Sequence, residues 1–148
     1  MKHPKYNSGF TLIETLVSMI VISVGMLGIA AMYVEGLRAG KSSVFRTEAV
    51  NLVSDMADRI RANPTALAGY AGAGANNNCV NGPVDCTPAQ LAADDIFRWQ
   101  QDVTARIPGA VPVIQFVAGA PVNTYSITLR WAEAGSTTLS SYAISFQI

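Results

Sequence analysis

Apolar residues are concentrated near the amino end of the chain. Residues 15–34, TLVSMIVISVGMLGIAAMYV, carry no charged side chain. A helix over this run spans roughly 30 Å, the thickness of a bilayer's hydrocarbon core. Lys2 and Lys5 precede it, and no acid comes before Glu14. Because basic flanks stay cytoplasmic, the pattern predicts a membrane anchor whose following chain is exported. The alternative is a signal peptide cut near residues 28–31, but such apolar segments are only about 7–15 residues long.

After Glu35 the pattern becomes that of an amphipathic helix. No proline occurs between Lys5 and Pro64, so residues 10–62 are predicted to form one helix about 80 Å long. Asn63 ends it, because the residue before a proline avoids the α region. Apolar side chains recur at steps of three and four, which predicts one buried face. That face consists of Phe45, Ala49, Leu52, Met56 and Ile60.

The remainder of the chain is predicted to be a loop followed by a second helix. Residues 65–86 are rich in glycine, alanine and asparagine, with a turn at Asn81-Gly82-Pro83. The sequence Thr87-Pro88-Ala89-Gln90 is typical of a helix start, with a capping threonine, a proline and a capping-box glutamine. The helix is expected to run to about Ile107. Its apolar face consists of Ala92, Ile96, Trp99, Val103 and Ile107, and Trp99 is predicted to be a core residue.

Three β-strands are predicted over residues 111–118, 122–132 and 138–148. Apolar and polar residues alternate in the last two, and short turns rich in glycine, alanine, proline or serine separate all three. An antiparallel meander follows from these short connections. The expected fold class is therefore α+β, with a long amino-terminal helix packed on a small carboxy-terminal antiparallel sheet.

Composition and charge exclude several classes of protein. Apolar residues make up 50% of the 148 residues and the mean hydropathy is +0.28, which excludes overall disorder. Ten basic residues balance ten acidic ones, so a broad basic surface for nucleic acid is not expected. The single histidine is His3, and catalytic, nucleotide-binding and metal-binding motifs are missing. No enzyme activity, cofactor or metal is predicted. Asp94 and Asp95 are interpreted as a solvated helix face rather than as paired catalytic carboxylates.

Cys79 and Cys86 lie in the predicted loop and are separated by six residues. In an exported chain they would meet an oxidising compartment and form a disulfide. Closing so short a loop stabilises by up to roughly 2–3 kcal/mol in the chain-entropy model.

Residues 8–14, SGFTLIE, resemble the cleavage and methylation signature of type IV pilins and type II secretion pseudopilins. The resemblance implies that a prepilin peptidase cuts between Gly9 and Phe10 and methylates the new amino terminus at Phe10. It also implies an assembly role for Glu14, by attraction to the amino-terminal amine of a neighbouring subunit. The alternative for Glu14 is a simple helix-start residue, favoured by the helix dipole.

Residues 57–63, ADRIRAN, resemble a stretch of PilV-type minor pilins. Their charges also suit an ordinary helix end, with Arg59 and Arg61 near the negative pole and Asp55 four residues before Arg59. Two departures from major pilins favour a minor subunit. The anchor has no proline, only Gly25 and Gly28 as weak points, and the two cysteines precede the sheet.

The resemblance implies a minor pilin that helps prime a type IV pilus and lies near its tip. Its expected partners are other minor pilins, the major pilin, the prepilin peptidase, the inner-membrane assembly machinery and a large tip adhesin. The expected location is the bacterial inner membrane and the pilus. Four segments are predicted: a cytoplasmic leader (1–9), a membrane and filament-core half-helix (10–35), a periplasmic half-helix (36–63) and a globular domain (64–148). The alternatives are a minor pseudopilin of type II secretion and a signal-anchored periplasmic enzyme or binding domain.

Overall fold

The computed structural model describes residues 9–80, 82, 85–133 and 135–148. Residues 1–8 of the expected leader, and Asn81 and Pro83 of the predicted turn, lie outside the described residues. The secondary-structure elements follow one another in chain order: α1 (Leu12–Ala62), a 3-10 segment (Pro64–Ala71), α2 (Pro88–Arg106), β1 (Val111–Val117), β2 (Thr124–Ala132) and β3 (Leu139–Gln147). The predicted α+β class is confirmed, with a long apolar helix followed by a small antiparallel sheet.

Contacts divide the chain after Gly40 into two units. In the first unit, residues 12–40 are helical and their side chains are exposed. The second unit, residues 41–148, contains the core. There α1 buries the stripe that the sequence predicts, with Ala49, Leu52, Met56 and Ile60 at 4% exposure or less. Phe45 is only partly buried at the edge of this stripe.

Helix α2 starts at the predicted cap. The Thr87 hydroxyl accepts a hydrogen bond from the Gln90 amide at 3.3 Å, and the Gln90 side chain accepts one from the Thr87 amide at 2.9 Å. This reciprocal pair satisfies amides that a helix start otherwise leaves unbonded. The apolar face of α2 is buried as predicted, and the Trp99 indole donates to the Leu52 carbonyl at 2.8 Å. That bond fixes α2 against α1.

The three strands form an antiparallel sheet in the order β1-β2-β3. The meander is therefore confirmed. On the inward face β2 contributes its alternate residues Tyr125, Ile127, Leu129 and Trp131, all at most 2% exposed. Alternation places every second side chain on the same face of a strand. The polar residues between them lie on the opposite face of the sheet.

The 3-10 segment corrects the prediction of an irregular loop from residue 65. Pro64 occupies its first turn, and Leu67 interrupts it with a non-helical backbone conformation, φ 46°. Tyr70 is completely buried, and the Tyr125 hydroxyl donates to the Leu67 carbonyl at 2.6 Å. Tertiary packing of an aromatic side chain orders a stretch whose composition is typical of a loop.

Candidate functional site

The expected processing site lies ahead of the first helical turn. Gly9 and Phe10 have no regular secondary structure, and the Phe10 side chain is 83% exposed. The Thr11 carbonyl accepts the first helical hydrogen bonds, from the amides of Glu14 at 3.1 Å and Thr15 at 3.3 Å. The bond between Gly9 and Phe10 is therefore extrahelical and accessible, the state in which a peptidase can bind backbone.

Glu14 lies in the first turn of α1 and is exposed. A carboxylate at this position is stabilised by the positive end of the helix dipole. None of the ion pairs formed among the described residues includes Glu14. Its neighbours are apolar and equally uncovered, with Leu12 79% and Ile13 70% exposed. Glu14 is thus an acceptor on an apolar helix surface.

Helix α1 presents an uncovered apolar surface over its first half. It includes an 18-residue stretch with a mean hydropathy of 2.2, and none of the residues in this stretch is buried. The length and composition of the helix therefore suit a membrane span. Hydroxyls inside this stretch bond to carbonyls of their own helix: Thr15 to Leu12 at 2.8 Å and Ser23 to Met19 at 2.7 Å. Polar groups satisfied within the helix are tolerated in hydrocarbon. The surface is therefore suited to lipid or to other helices.

The other end of α1 carries a network of polar groups around Arg59, of which Asp95 and Tyr70 are buried. Its guanidinium donates to Asp55 at 2.9 Å, as the i,i+4 spacing predicts, and also to Asp95 on α2 at 3.2 Å. Asp95 further accepts a hydrogen bond from the Tyr70 hydroxyl at 2.8 Å. Burial, and then this hydrogen bond, raise the pKa of Tyr70 far above its usual value. Arg59 therefore joins α1 to α2 and to the 3-10 segment.

The interpretation of Asp94 and Asp95 as a solvated face is wrong. Asp94 is 0% exposed and Asp95 is 7% exposed. Asp94 accepts from the Arg98 guanidinium at 2.8 Å and from the Asn77 amide at 2.8 Å. Burial opposes its ionisation, but these bonds outweigh burial and hold the pKa of Asp94 below its usual value. The two carboxylates face different partners, and each one ties α2 to a neighbouring segment.

The position of Asp95 on α2 was a signal that the sequence interpretation missed. It lies three residues after Ala92 and four before Trp99, on the predicted apolar face of α2. An acid on a buried face requires a partner. Arg59, on the predicted amphipathic part of α1, is the basic residue that pairs with Asp95. The sequence alone does not show that Arg59 and Asp95 come together, because this contact forms only when the chain folds.

The glycine- and asparagine-rich loop before α2 is held by a disulfide and by a hydrogen bond from α2. Cys79 and Cys86 form the expected disulfide, with their Cα atoms 5.7 Å apart. The Arg98 guanidinium donates to the Val80 carbonyl at 3.1 Å. Over the part of the chain that the structure describes, no group of three or more His, Cys, Asp or Glu side chains could hold a metal ion. The disulfide closes the loop, and the bond from Arg98 attaches it to α2.

Comparisons with known proteins agree with this geometry. Residues 4–30 match a family model described as the prokaryotic N-terminal methylation motif. Residues 31–97 match a second model, described as type IV pilin Tt1218, Tt1218-like. No curated protein and no solved structure shows significant similarity to the chain.

The two family matches lie next to each other and support membership of the type IV pilin family. Proteins of this family are structural subunits, and the methylation motif implies processing by a prepilin peptidase in the context of pilus assembly. The prepilin signature and the apolar helix together indicate a membrane-anchored subunit of a pilus or a related filament.

Proposed function

We propose that this chain is a minor pilin of a type IV pilus, which helps to prime pilus assembly and enters the filament near its tip. The observation that carries the proposal is the uncovered apolar half of α1, which begins directly behind Gly9 and Phe10. A surface of this kind is stable only in lipid or against other apolar helices. A subunit that leaves the membrane for a filament core requires both environments in turn.

In this proposal residues 1–9 are a cytoplasmic leader and residues 10–35 are the part held first in the inner membrane and then in the filament core. Residues 36–63 extend into the periplasm and residues 64–148 form the globular domain. The partners are other minor pilins, the major pilin and a large tip adhesin. The resemblance of residues 57–63 to PilV-type minor pilins supports the choice of subunit class.

The second candidate is a minor pseudopilin of type II secretion, since such proteins share the signature at residues 8–14. The family model over residues 31–97 carries the description of a type IV pilin and so supports the first candidate. Genes for minor pilus subunits beside this one would strengthen that choice, whereas a secretion operon would favour the second.

The first test is of leader cleavage. Replacing Gly9 by valine places a branched side chain next to the scissile bond and should block cleavage. A Cβ at Gly9 meets no atom within 4 Å, so the substitution leaves the fold itself undisturbed. Mass spectrometry of the wild type should show an amino terminus at methylated Phe10. Loss of nine residues leaves 139, and loss of Lys2 and Lys5 changes the formal charge from zero to −2.

A matched control for this test is Gly36→Val, because a Cβ at Gly36 also meets no atom within 4 Å. This variant should be cleaved normally. An intact leader in the wild-type protein, or cleavage near Ala30, would contradict the pilin assignment.

The second test concerns Glu14, which we propose attracts the amino-terminal amine of an adjacent subunit during docking. Once α1 enters a filament, this carboxylate is surrounded by apolar helices, and removal of one member of a buried ion pair costs roughly 3–5 kcal/mol. Glu14→Ala should therefore be cleaved and inserted but poorly recruited to the other minor subunits. Glu14→Gln should be nearly as defective, because the charge is required.

Glu35→Ala is the control, since Glu35 lies on the same helix but has its own partner, Arg38, at 3.0 Å. Co-purification with the other minor subunits and counts of surface pili measure recruitment. Wild-type recruitment and piliation by Glu14→Ala would show that Glu14 is only a helix-start residue.

A further inference from the structure

The charges that follow the apolar half of α1 are unevenly distributed. Residues 15–34 carry no charge and belong to the stretch whose composition suits a membrane span. Residues 36–47 then carry three basic side chains and no acid. These three are Arg38, Lys41 and Arg46. The helix is therefore cationic just beyond its apolar stretch.

Two of the three basic side chains already pair with a carboxylate. Arg38 pairs with Glu35 at 3.0 Å, and Arg46 pairs with Glu133 at 3.4 Å. Lys41 is exposed, and none of the ion pairs formed among the described residues includes it. Lys41 thus carries the positive charge that an anion from outside the chain can neutralise.

The surroundings of the Lys41 ammonium suit an anion that offers several oxygens. Its Nζ lies 5.4 Å from the centroid of the Phe45 ring, whose face attracts the positive charge. Lysine has three N–H donors and no acceptor. Arg38 comes three residues earlier, and side chains three apart are neighbours on a helix, where like charges repel. A bound anion would relieve that repulsion.

The spacing along α1 brings Lys41 within reach of lipid headgroups when the apolar stretch spans a membrane. Seven residues separate it from Val34, so its Cα lies about 10 Å beyond the end of that stretch. The headgroup layer on each side of a bilayer is roughly 5–8 Å thick. Helical Cβ atoms tilt toward the amino end, here the membrane side, and long lysine side chains carry their charge to the interface. Tyr33, which is 68% exposed, is a residue type that favours the same interface.

We propose that Lys41 binds the phosphate of a phospholipid headgroup while α1 is held in the membrane. Arg38 contributes by neutralising Glu35, a carboxylate that would otherwise repel the phosphate. The site is continuous with the apolar surface of residues 15–34, so one lipid can contact that surface with its acyl chains and Lys41 with its phosphate. The proposal rests on the proposed function only in taking residues 10–35 as the membrane-held part of the chain.

The first test measures whether Lys41 lies beside lipid phosphorus in a bilayer. The full chain carries Lys2→Arg and Lys5→Arg, which leave Lys41 as its single lysine whether or not the leader is removed. Its Cε is labelled with ¹³C, and the bilayer contains phosphatidylcholine and phosphatidylglycerol. In solid-state NMR, dipolar coupling to lipid ³¹P should attenuate the Lys41 signal. The ¹³C-labelled methyl group of Met56, a core residue at 0% exposure, should not be attenuated.

A pair of variants tests whether Lys41 selects anionic lipid. Electron spin resonance of spin-labelled phosphatidylglycerol in phosphatidylcholine vesicles measures the preference of the chain for the anionic headgroup. Lys41→Gln should lower that preference about fivefold, the effect of one basic residue near an anionic surface. Arg61→Gln is the matched control, because Arg61 is also an exposed basic residue of α1 but lies about 30 Å further along the helix. This variant should keep the wild-type preference.

Inorganic phosphate distinguishes a lipid site from a site for free anions. Added to the chain in micelles of an uncharged detergent, it should leave the Lys41 ¹³Cε resonance in place. Dihexanoyl-phosphatidylglycerol should shift the same resonance in a saturable manner, because its acyl chains hold the phosphate beside α1.

Three results would overturn the proposal: an unattenuated Lys41 signal in the bilayer, an unchanged lipid preference in Lys41→Gln, or equal shifts with inorganic phosphate and with the lipid. None of these readouts depends on leader cleavage or piliation, so failure of this proposal is distinguishable from failure of the proposed function.

Discussion

Replacement of Asp95 by alanine tests whether the network around Arg59 holds the globular domain together. Asp95 is 7% exposed and accepts hydrogen bonds from Arg59 at 3.2 Å and from Tyr70 at 2.8 Å. The substitution removes both bonds and, with them, the ion pair that joins Arg59 to α2. Both donors keep an alternative acceptor, since Arg59 still pairs with Asp55 and the Tyr70 hydroxyl lies 3.2 Å from the Arg59 carbonyl.

These remaining acceptors set the size of the effect. Breaking a buried pair with no alternative partner costs roughly 3–5 kcal/mol. Here neither donor is orphaned, and the Arg59 side chain is 28% exposed to water, so the loss is smaller. We expect about 2 kcal/mol, the scale of a hydrogen bond to a charged group. For a domain of this size that lowers the melting temperature by roughly 10 °C.

The assay is thermal unfolding of the full chain in detergent, followed by near-ultraviolet circular dichroism. Asp58→Ala is the matched control: it also removes a carboxylate paired with an arginine of α1, but the Asp58 side chain is 75% exposed and pairs only with Arg61. An exposed pair contributes at most about 1 kcal/mol. If the two variants melt at the same temperature, the network does not stabilise the domain as argued.

Two further predictions concern the loop and its attachment to α2. Replacing Cys79 and Cys86 by serine should destabilise the domain by about 2.5 kcal/mol and leave cleavage and membrane insertion unchanged. Free thiols in the mature protein isolated from cells would contradict the disulfide's role. Asp94 has a lowered pKa, so its stabilising contribution is present above the ordinary carboxyl value of 3.8 and is lost as the pH falls through the lower folded value. Asp94→Asn should therefore destabilise the domain at pH 7, and the difference from wild type should shrink in acid, as measured by denaturant midpoints. A difference that stays constant down to pH 2 would refute the assignment.

The sequence by itself was enough to predict the elements and the order in which they occur. The apolar stripe of α1, the capping box at Thr87 and the alternation in β2 are all local patterns. The stripe follows the helical period of 3.6 residues, the alternation follows the strand period of 2 residues, and the capping box is a pair of hydrogen bonds between residues three apart. Such signals need no knowledge of distant segments. The signature at residues 8–14 is local as well, which is why the family could be inferred before the fold was known.

Contacts between distant parts of the chain were decided only by the tertiary structure. Arg59 and Asp95 are 36 residues apart, and the buried Asp94 is bonded to an amide 17 residues before it. The burial of Tyr70 likewise converts a loop-like composition into a 3-10 segment. A polar side chain has no fixed burial or partner of its own, because both depend on which segments pack around it, and that is established only when the chain folds.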